Sequence, residues 1–84
     1  MNLNEIINKI RKDMPNYSIL SCYNYDNKYY LFSLSYKSQI TNNDDFYLIN
    51  KKNGEIKEYP ILNDIEKFNQ IVMNKNNIIK FKKE

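Results

Sequence analysis

Histidine, alanine and tryptophan are absent from these 84 residues, and glycine, cysteine and arginine occur once each. Each shortage removes a class of chemistry. Without histidine no Ser–His or Cys–His nucleophile pair can form. One cysteine and no histidine cannot build a zinc tetrahedron. A single glycine rules out a glycine-rich phosphate cradle. Cys22 has no second cysteine to pair with, which fits a reducing compartment or a small buried thiol. It falls in the middle of an expected strand with no activating partner, so no reactive thiol is expected. No apolar run approaches the length of a membrane span. The opening MNLNEIINKIRKDMP lacks a basic stretch followed by an apolar core, so no secretory leader and a cytoplasmic location are expected. Ten carboxylates leave carboxylate-only catalysis formally open. The expectation is a non-enzyme with no cofactor and no metal.

What is abundant is skewed. The chain holds 15 Asn, 12 Ile and 8 Tyr, the residues of A/T-rich codons. Lysine is raised by the same bias, so the net charge of +3 is weak support for an anionic partner. Nucleic-acid readers favour arginine for bidentate contacts, and Arg11 is the only one here. A chain this short makes one domain, residues 1–84, with a small core that self-association would help.

The residues from 29 to 59 organise the rest. In 29–37, Tyr30, Phe32, Leu34 and Tyr36 alternate with Leu31, Ser33 and Ser35, which predicts a strand whose aromatic side meets the core. The mixed opposite side suits an antiparallel sheet covered on one face. A second strand is expected over 46–50. The Asn53-Gly54 pair then reads as a hairpin turn in which both residues tolerate positive φ. A partner strand returns over 55–59 until Pro60 ends the ladder.

Residues 3–14 place Leu3, Ile6, Ile7, Ile10 and Met14 on one helical face, with Asn2 and Glu5 spaced as a capping box and Pro15 as the stop. This helix is read as a cover for the sheet. A first strand is expected over 17–23, with Tyr17, Ile19, Ser21 and Tyr23 opposing Ser18, Leu20 and Cys22. Tyr25-Asp26-Asn27-Lys28 is turn-like. A second helix is expected over 61–74, capped by Asn63 with Glu66 completing the box and Asp64 adding a first-turn charge. Residues 78–81 are either a short edge strand or a docking tail. The loop 38–45 ends in Asp44 and Asp45. Adjacent carboxylates on extended backbone point apart, and no spaced third ligand follows, so a solvated loop is favoured over a cation site. The expected fold is α+β, in the order α-β-β-β-β-α, with both helices on one face of an antiparallel sheet.

Eight tyrosines exceed what a small core should hold. Tyr23, Tyr25, Tyr29 and Tyr47 are expected on the surface, where tyrosine offers large contact area at low entropy cost; the equal alternative is that they stand in for phenylalanine on a half-buried sheet through codon bias. With Asp44, Asp45, Lys51 and Lys52 they form the candidate partner-binding set. The run DDFYLINKKNGEIKEYPILNDIEKF resembles a motif in small, mostly uncharacterised α+β proteins of Gram-positive bacteria and their phages. The matching positions are Asp45, Phe46, Tyr47, Ile49, Asn50, Lys51, Lys52, Gly54, Tyr59, Pro60 and Phe68. A similar strand–hairpin shape occurs in bacterial immunity proteins that neutralise toxins. The resemblance implies an α+β fold and a mobile-element setting. By that analogy the expected function is stoichiometric binding to a larger bacterial protein or ribonucleoprotein complex, as in anti-CRISPR or other anti-defence inhibition. Toxin immunity is the alternative. A further alternative is nucleic-acid binding through Lys51, Lys52, Lys57 and the basic tail. Homo-oligomer formation is a third partner type.

Overall fold

The computed structural model describes residues 1–38 and 45–82. Helix α1 spans Leu3–Asp13, and strands β1 (Tyr17–Asn24), β2 (Tyr29–Tyr36), β3 (Asp45–Asn50) and β4 (Ile56–Glu58) follow. A 3-10 turn, Ile61–Asn63, leads into helix α2, Ile65–Met73, and a second 3-10 turn covers Lys75–Asn77. The strands form an antiparallel sheet in chain order. The α-β-β-β-β-α order is therefore the observed one. Asp44 and most of the polar loop before β3 lie outside the described residues.

The helices do not share a face. Ile6, Ile7 and Ile10 of α1 bury against Phe32, Leu34, Tyr47 and Ile49. Ile71 of α2, with Phe68 and Val72, packs instead with Leu31, Leu48 and Tyr59. Leu31 and Phe32 are chain neighbours, as are Leu48 and Ile49, and neighbours in a strand point to opposite faces. The sheet is thus a middle layer with one helix on each side. The physical reason lies in β2 and β3. Leu31 pairs with Leu48, and Ser33 pairs with Phe46. The small serine leaves room for the ring, and Ser33 is itself buried. A face carrying two leucines and a phenylalanine gains roughly 1.5–3 kcal/mol for each large side chain it hides, so it recruits α2.

Strand β1 departs from strict alternation. Ile19 pairs with Leu34 but Ser21 pairs with Ser33, so Leu20 is one extra residue in the ladder. Such a bulge exchanges the two faces from that point on. Cys22 therefore joins Tyr17 and Ile19 on the α1 side, and Tyr23 moves to the α2 side.

The helix ends show one expected cap and one different one. Asn2 Oδ1 accepts the Glu5 amide at 2.9 Å, and the Asn2 amide donates to Glu5 Oε1 at 3.0 Å, which completes the capping box. At α2 the cap position belongs to Asp64, not Asn63, which ends the preceding 3-10 turn. The Asp64 side chain caps no amide of α2. After α2, Ile78 bridges Tyr23, and the Ile79 amide donates to the Cys22 carbonyl at 2.9 Å. Ile79 and Phe81 pack on the α1-side core, so the segment is both an edge contact and a docked tail.

The link from β3 to β4 is longer than a two-residue turn. The Asn50 amide donates to the Glu55 carbonyl at 2.9 Å and the Gly54 amide to the Asn50 carbonyl at 2.8 Å, enclosing residues 51–54. Gly54 has φ +73°, and no other described residue has positive φ, Asn53 included. A Cβ at Gly54 would also lie 2.8 Å from Lys9 Cδ and 3.0 Å from Met1 Sδ, both on flexible side chains that can yield. The backbone is the stiffer constraint. Gly54→Val should cost about 1–3 kcal/mol, and Gly54→Asn clearly less, because asparagine tolerates the left-handed region. Urea unfolding of the three proteins measures this, and an unchanged midpoint for the valine variant would refute the constraint.

Candidate functional site

The described tyrosines divide by depth. Tyr47 is only 9 % exposed and belongs to the α1-side core, so the expectation that it stands on the surface is corrected. Its ring lies edge-on to Tyr17, with centroids 6.5 Å apart. Tyr23, Tyr25 and Tyr29 are half-buried on the α2 side. Asp45 is exposed at the opposite end of β3 from Lys51 and Lys52. The candidate set is therefore not one patch. Tyr29, Lys51 and Lys52 come together; Asp45 and Tyr47 lie elsewhere, and Asp44 lies outside the described residues.

Where they meet is a cleft of about 530 Å³, lined by residues 27–29 and 50–53. Antiparallel neighbours put alternate turns at the same end of the sheet, so the β1–β2 turn stands beside the β3–β4 loop. The Lys51 amide donates to the Lys28 carbonyl at 2.8 Å and ties the two together. Side chains hold each turn in shape. Asp26 Oδ1 accepts the Lys28 and Tyr29 amides, both at 2.8 Å. Asn50 Oδ1 accepts the Lys52 amide at 2.8 Å and the Asn53 amide at 3.2 Å. Asn53 Oδ1 accepts the Glu55 amide at 2.9 Å. These are the short polar side chains that compete best for local backbone donors.

Three lysines line the cleft and no carboxylate does. Lys51 Nζ sits 4.8 Å from the Tyr30 ring centroid and donates to Asn24 Oδ1. Lys57, on β4, places its Nζ 4.7 Å from the Tyr29 ring centroid. Such contacts fix a flexible ammonium over a negative ring face. Lys28 and Lys52 are exposed, and their ammonium groups have no partner among the described residues. Among the described residues the one ion pair is Lys9–Asp13 on α1, at 2.8 Å. Sequence reasoning singled out Lys51 and Lys52 but missed Lys28, Asn50 and Asn53. The available signal was the meander itself, which makes the first and third turns neighbours.

A second polar cluster sits under α2. The Tyr25 and Tyr59 hydroxyls both donate to Asp64 Oδ2, each at 3.2 Å, and lie 3.4 Å apart. This explains the missing cap: the Asp64 carboxylate is turned toward the tyrosines. Phe68 stacks on Tyr59, with centroids 6.0 Å apart, and packs edge-on to Phe46 at 4.8 Å. Lys67 lies over Tyr25, 5.2 Å from its centroid. The cluster is a clasp between the residues that follow β1 and β4 and the one that precedes α2. Cys22 is buried, and burial pushes its thiol up to about 12, with Lys51 opposing weakly. It stays protonated at neutral pH and is a poor nucleophile. Among the described residues no three Cys, Asp or Glu side chains converge as a metal cage.

Burial pushes the Tyr47 hydroxyl up to about 12, with Tyr17, Asp45 and Glu58 adding to the effect. Burial also raises Tyr59, reinforced by its bonds to Tyr25 and Asp64, and raises Tyr25. A group held protonated in the folded state above its ordinary value of 10 stabilises fully below pH 10 and loses that contribution as pH rises beyond it. Stability should therefore fall steeply above pH 10. Tyr47→Phe and Tyr59→Phe should each flatten that fall, by at most about 1.4 kcal/mol per pH unit. Urea unfolding at a series of alkaline pH values checks this, and identical slopes in wild type and both variants would refute it.

No protein-family model matches the chain, and no curated protein or solved structure matches it.

Proposed function

We propose that this chain is a non-catalytic protein-binding module that acts by stoichiometric contact with a larger bacterial protein or ribonucleoprotein complex. An inhibitor of the anti-defence kind, anti-CRISPR included, is the role this reading points to. The supporting observation is the cleft at the turn end. It is held in shape by backbone amides that donate to Asp26, Asn50 and Asn53, yet it leaves the ammonium groups of Lys28 and Lys52 without partners among the described residues. With three local side chains bonded to the backbone of the two turns, that backbone loses little entropy when the surface docks. The side-chain chemistry supports contact in preference to turnover: the one thiol is buried and protonated, and the strongly perturbed tyrosines serve packing.

Affinity-tagged protein produced in a Gram-positive bacterium should recover a protein partner in fixed stoichiometry, and nuclease treatment should not release it. Recovery of nucleic acid alone, or turnover of a small substrate by the purified chain, would overturn the reading.

A further inference from the structure

The cleft at the turn end has an imbalance that names its ligand. Its nearby acceptors are already used. Asn50 and Asn53 each spend Oδ1 on backbone amides of their turn, and the one carboxylate close by, Asp26, lies outside the lining and gives Oδ1 to the Lys28 and Tyr29 amides. The Lys28 carbonyl takes the Lys51 amide, and the Lys51 and Lys52 carbonyls each take the Met1 nitrogen at 3.3 Å. Of the lining side chains, only Asn27 keeps an amide oxygen that no described residue uses. The donors are free. An asparagine whose Oδ1 faces its own backbone turns Nδ2 the other way, so Asn50 and Asn53 leave their amide groups unspent. Lys28 and Lys52 add two unpartnered ammonium groups. A surface of spare donors with its acceptors consumed selects a ligand rich in anionic oxygens.

Two anionic macromolecules fit that description, and the tyrosines separate them. Single-stranded nucleic acid binds by stacking bases on aromatic faces beside a basic track. Here Tyr29, Tyr30 and Tyr25 each have a lysine ammonium over the ring, at 4.7, 4.8 and 5.2 Å. Those rings hold cations and pack against the two cores, Tyr30 on the α1 side and Tyr25 and Tyr29 on the α2 side, which makes them poor stacking platforms. Arginine, the usual reader of phosphates by paired bonds, lines none of the cleft. We infer that the cleft takes the carboxylates of an acidic peptide segment, seated between Lys28 and Lys52 and bonded by the side-chain amides of Asn50 and Asn53. This deepens the proposal of a protein-binding module and rests on it: the partner contributes a Glu- or Asp-rich stretch at this point.

The test uses the purified full chain and three probes: a labelled peptide alternating Glu and Ser, its Gln/Ser counterpart, and an oligo-dT strand of matched charge. The Glu/Ser peptide should bind, with amide shifts confined to residues 27–29 and 50–53, and affinity should fall several-fold between about 50 and 200 mM salt. The Gln/Ser peptide should not bind. Lys28→Glu with Lys52→Glu, both at exposed positions, should weaken binding at least about tenfold. Asn53→Asp keeps an oxygen for the Glu55 amide while replacing a donor by a carboxylate, so the folded chain should bind the peptide more weakly. The inference is overturned if oligo-dT binds as tightly at the same residues, if the Glu/Ser peptide fails to bind, or if the double charge reversal leaves its affinity unchanged. A cellular complex that survives the charge reversal would sink this inference and spare the proposed function. Peptide binding without any cellular complex would do the reverse.

Discussion

The constraint on which the rest depends is that β2 and β3 are apolar on both sides. Leu31 with Leu48, and Phe32 with Ile49 and Tyr47, put buried side chains on opposite faces of the same two strands. An 84-residue chain has little apolar surface to spend, and a sheet wet on one face would leave half of this uncovered. Covering both faces needs two helices on opposite sides. The chain supplies them at its two ends, α1 before the sheet and α2 after it. Neither helix is followed by a further layer, and α2 leaves Ile65 and Met73 exposed. The turns at the ends of the sheet are left as the places where backbone and charge can be shaped for contact.

Much of this was legible in order but not in depth. The 3.6-residue spacing of Ile6, Ile7 and Ile10 and the Asn2–Glu5 box placed α1 closely, because both signals are local. The four strands followed from period two and from turn residues. The number of buried faces did not follow. Ser33 and Ser35 made one side of β2 read as solvent-facing, and only the pairing of Ser33 with Phe46 shows that the serine is small to admit a ring. Cross-strand partners are a property of register, which a single strand cannot display. The Leu20 bulge is similar: nothing in Tyr17–Asn24 announces an extra residue, yet it decides whether Cys22 or Tyr23 faces α1. At α2 the acid was legible but its partner was not. Asp64 looked like a first-turn charge, whereas Tyr25, 39 positions away in sequence, takes its carboxylate out of the cap.

The candidate site followed the same divide. Lys51 and Lys52 stood out as a local run, and Asn53-Gly54 as a turn. Lys28 belongs to the same surface only because the chain runs as an antiparallel meander, which stacks its first turn against its third. Asp45, one of two adjacent acids in the candidate set, sits at the far end of a strand, and at more than 3 Å per residue β3 carries it well away from the lysines.

The tyrosines repay a different accounting from the one their number invites. Eight in a small chain look like an interface. Tyr47 and Tyr59 are core residues, and Tyr25 with Tyr59 ties two strands to α2 through Asp64. Tyr29 and Tyr30 act on lysines. A free lysine loses up to about 2 kcal/mol of rotamer entropy when a ligand fixes it. Lys51 and Lys57, already resting on rings, lose less of that on binding than Lys28 and Lys52, which no described residue holds. The surface thus combines two positioned cations that shape a local field with two exposed ones that can reach for a partner's charge. Aromatic side chains here set where positive charge stands, so the contact they favour is electrostatic in character although its scaffold is hydrophobic.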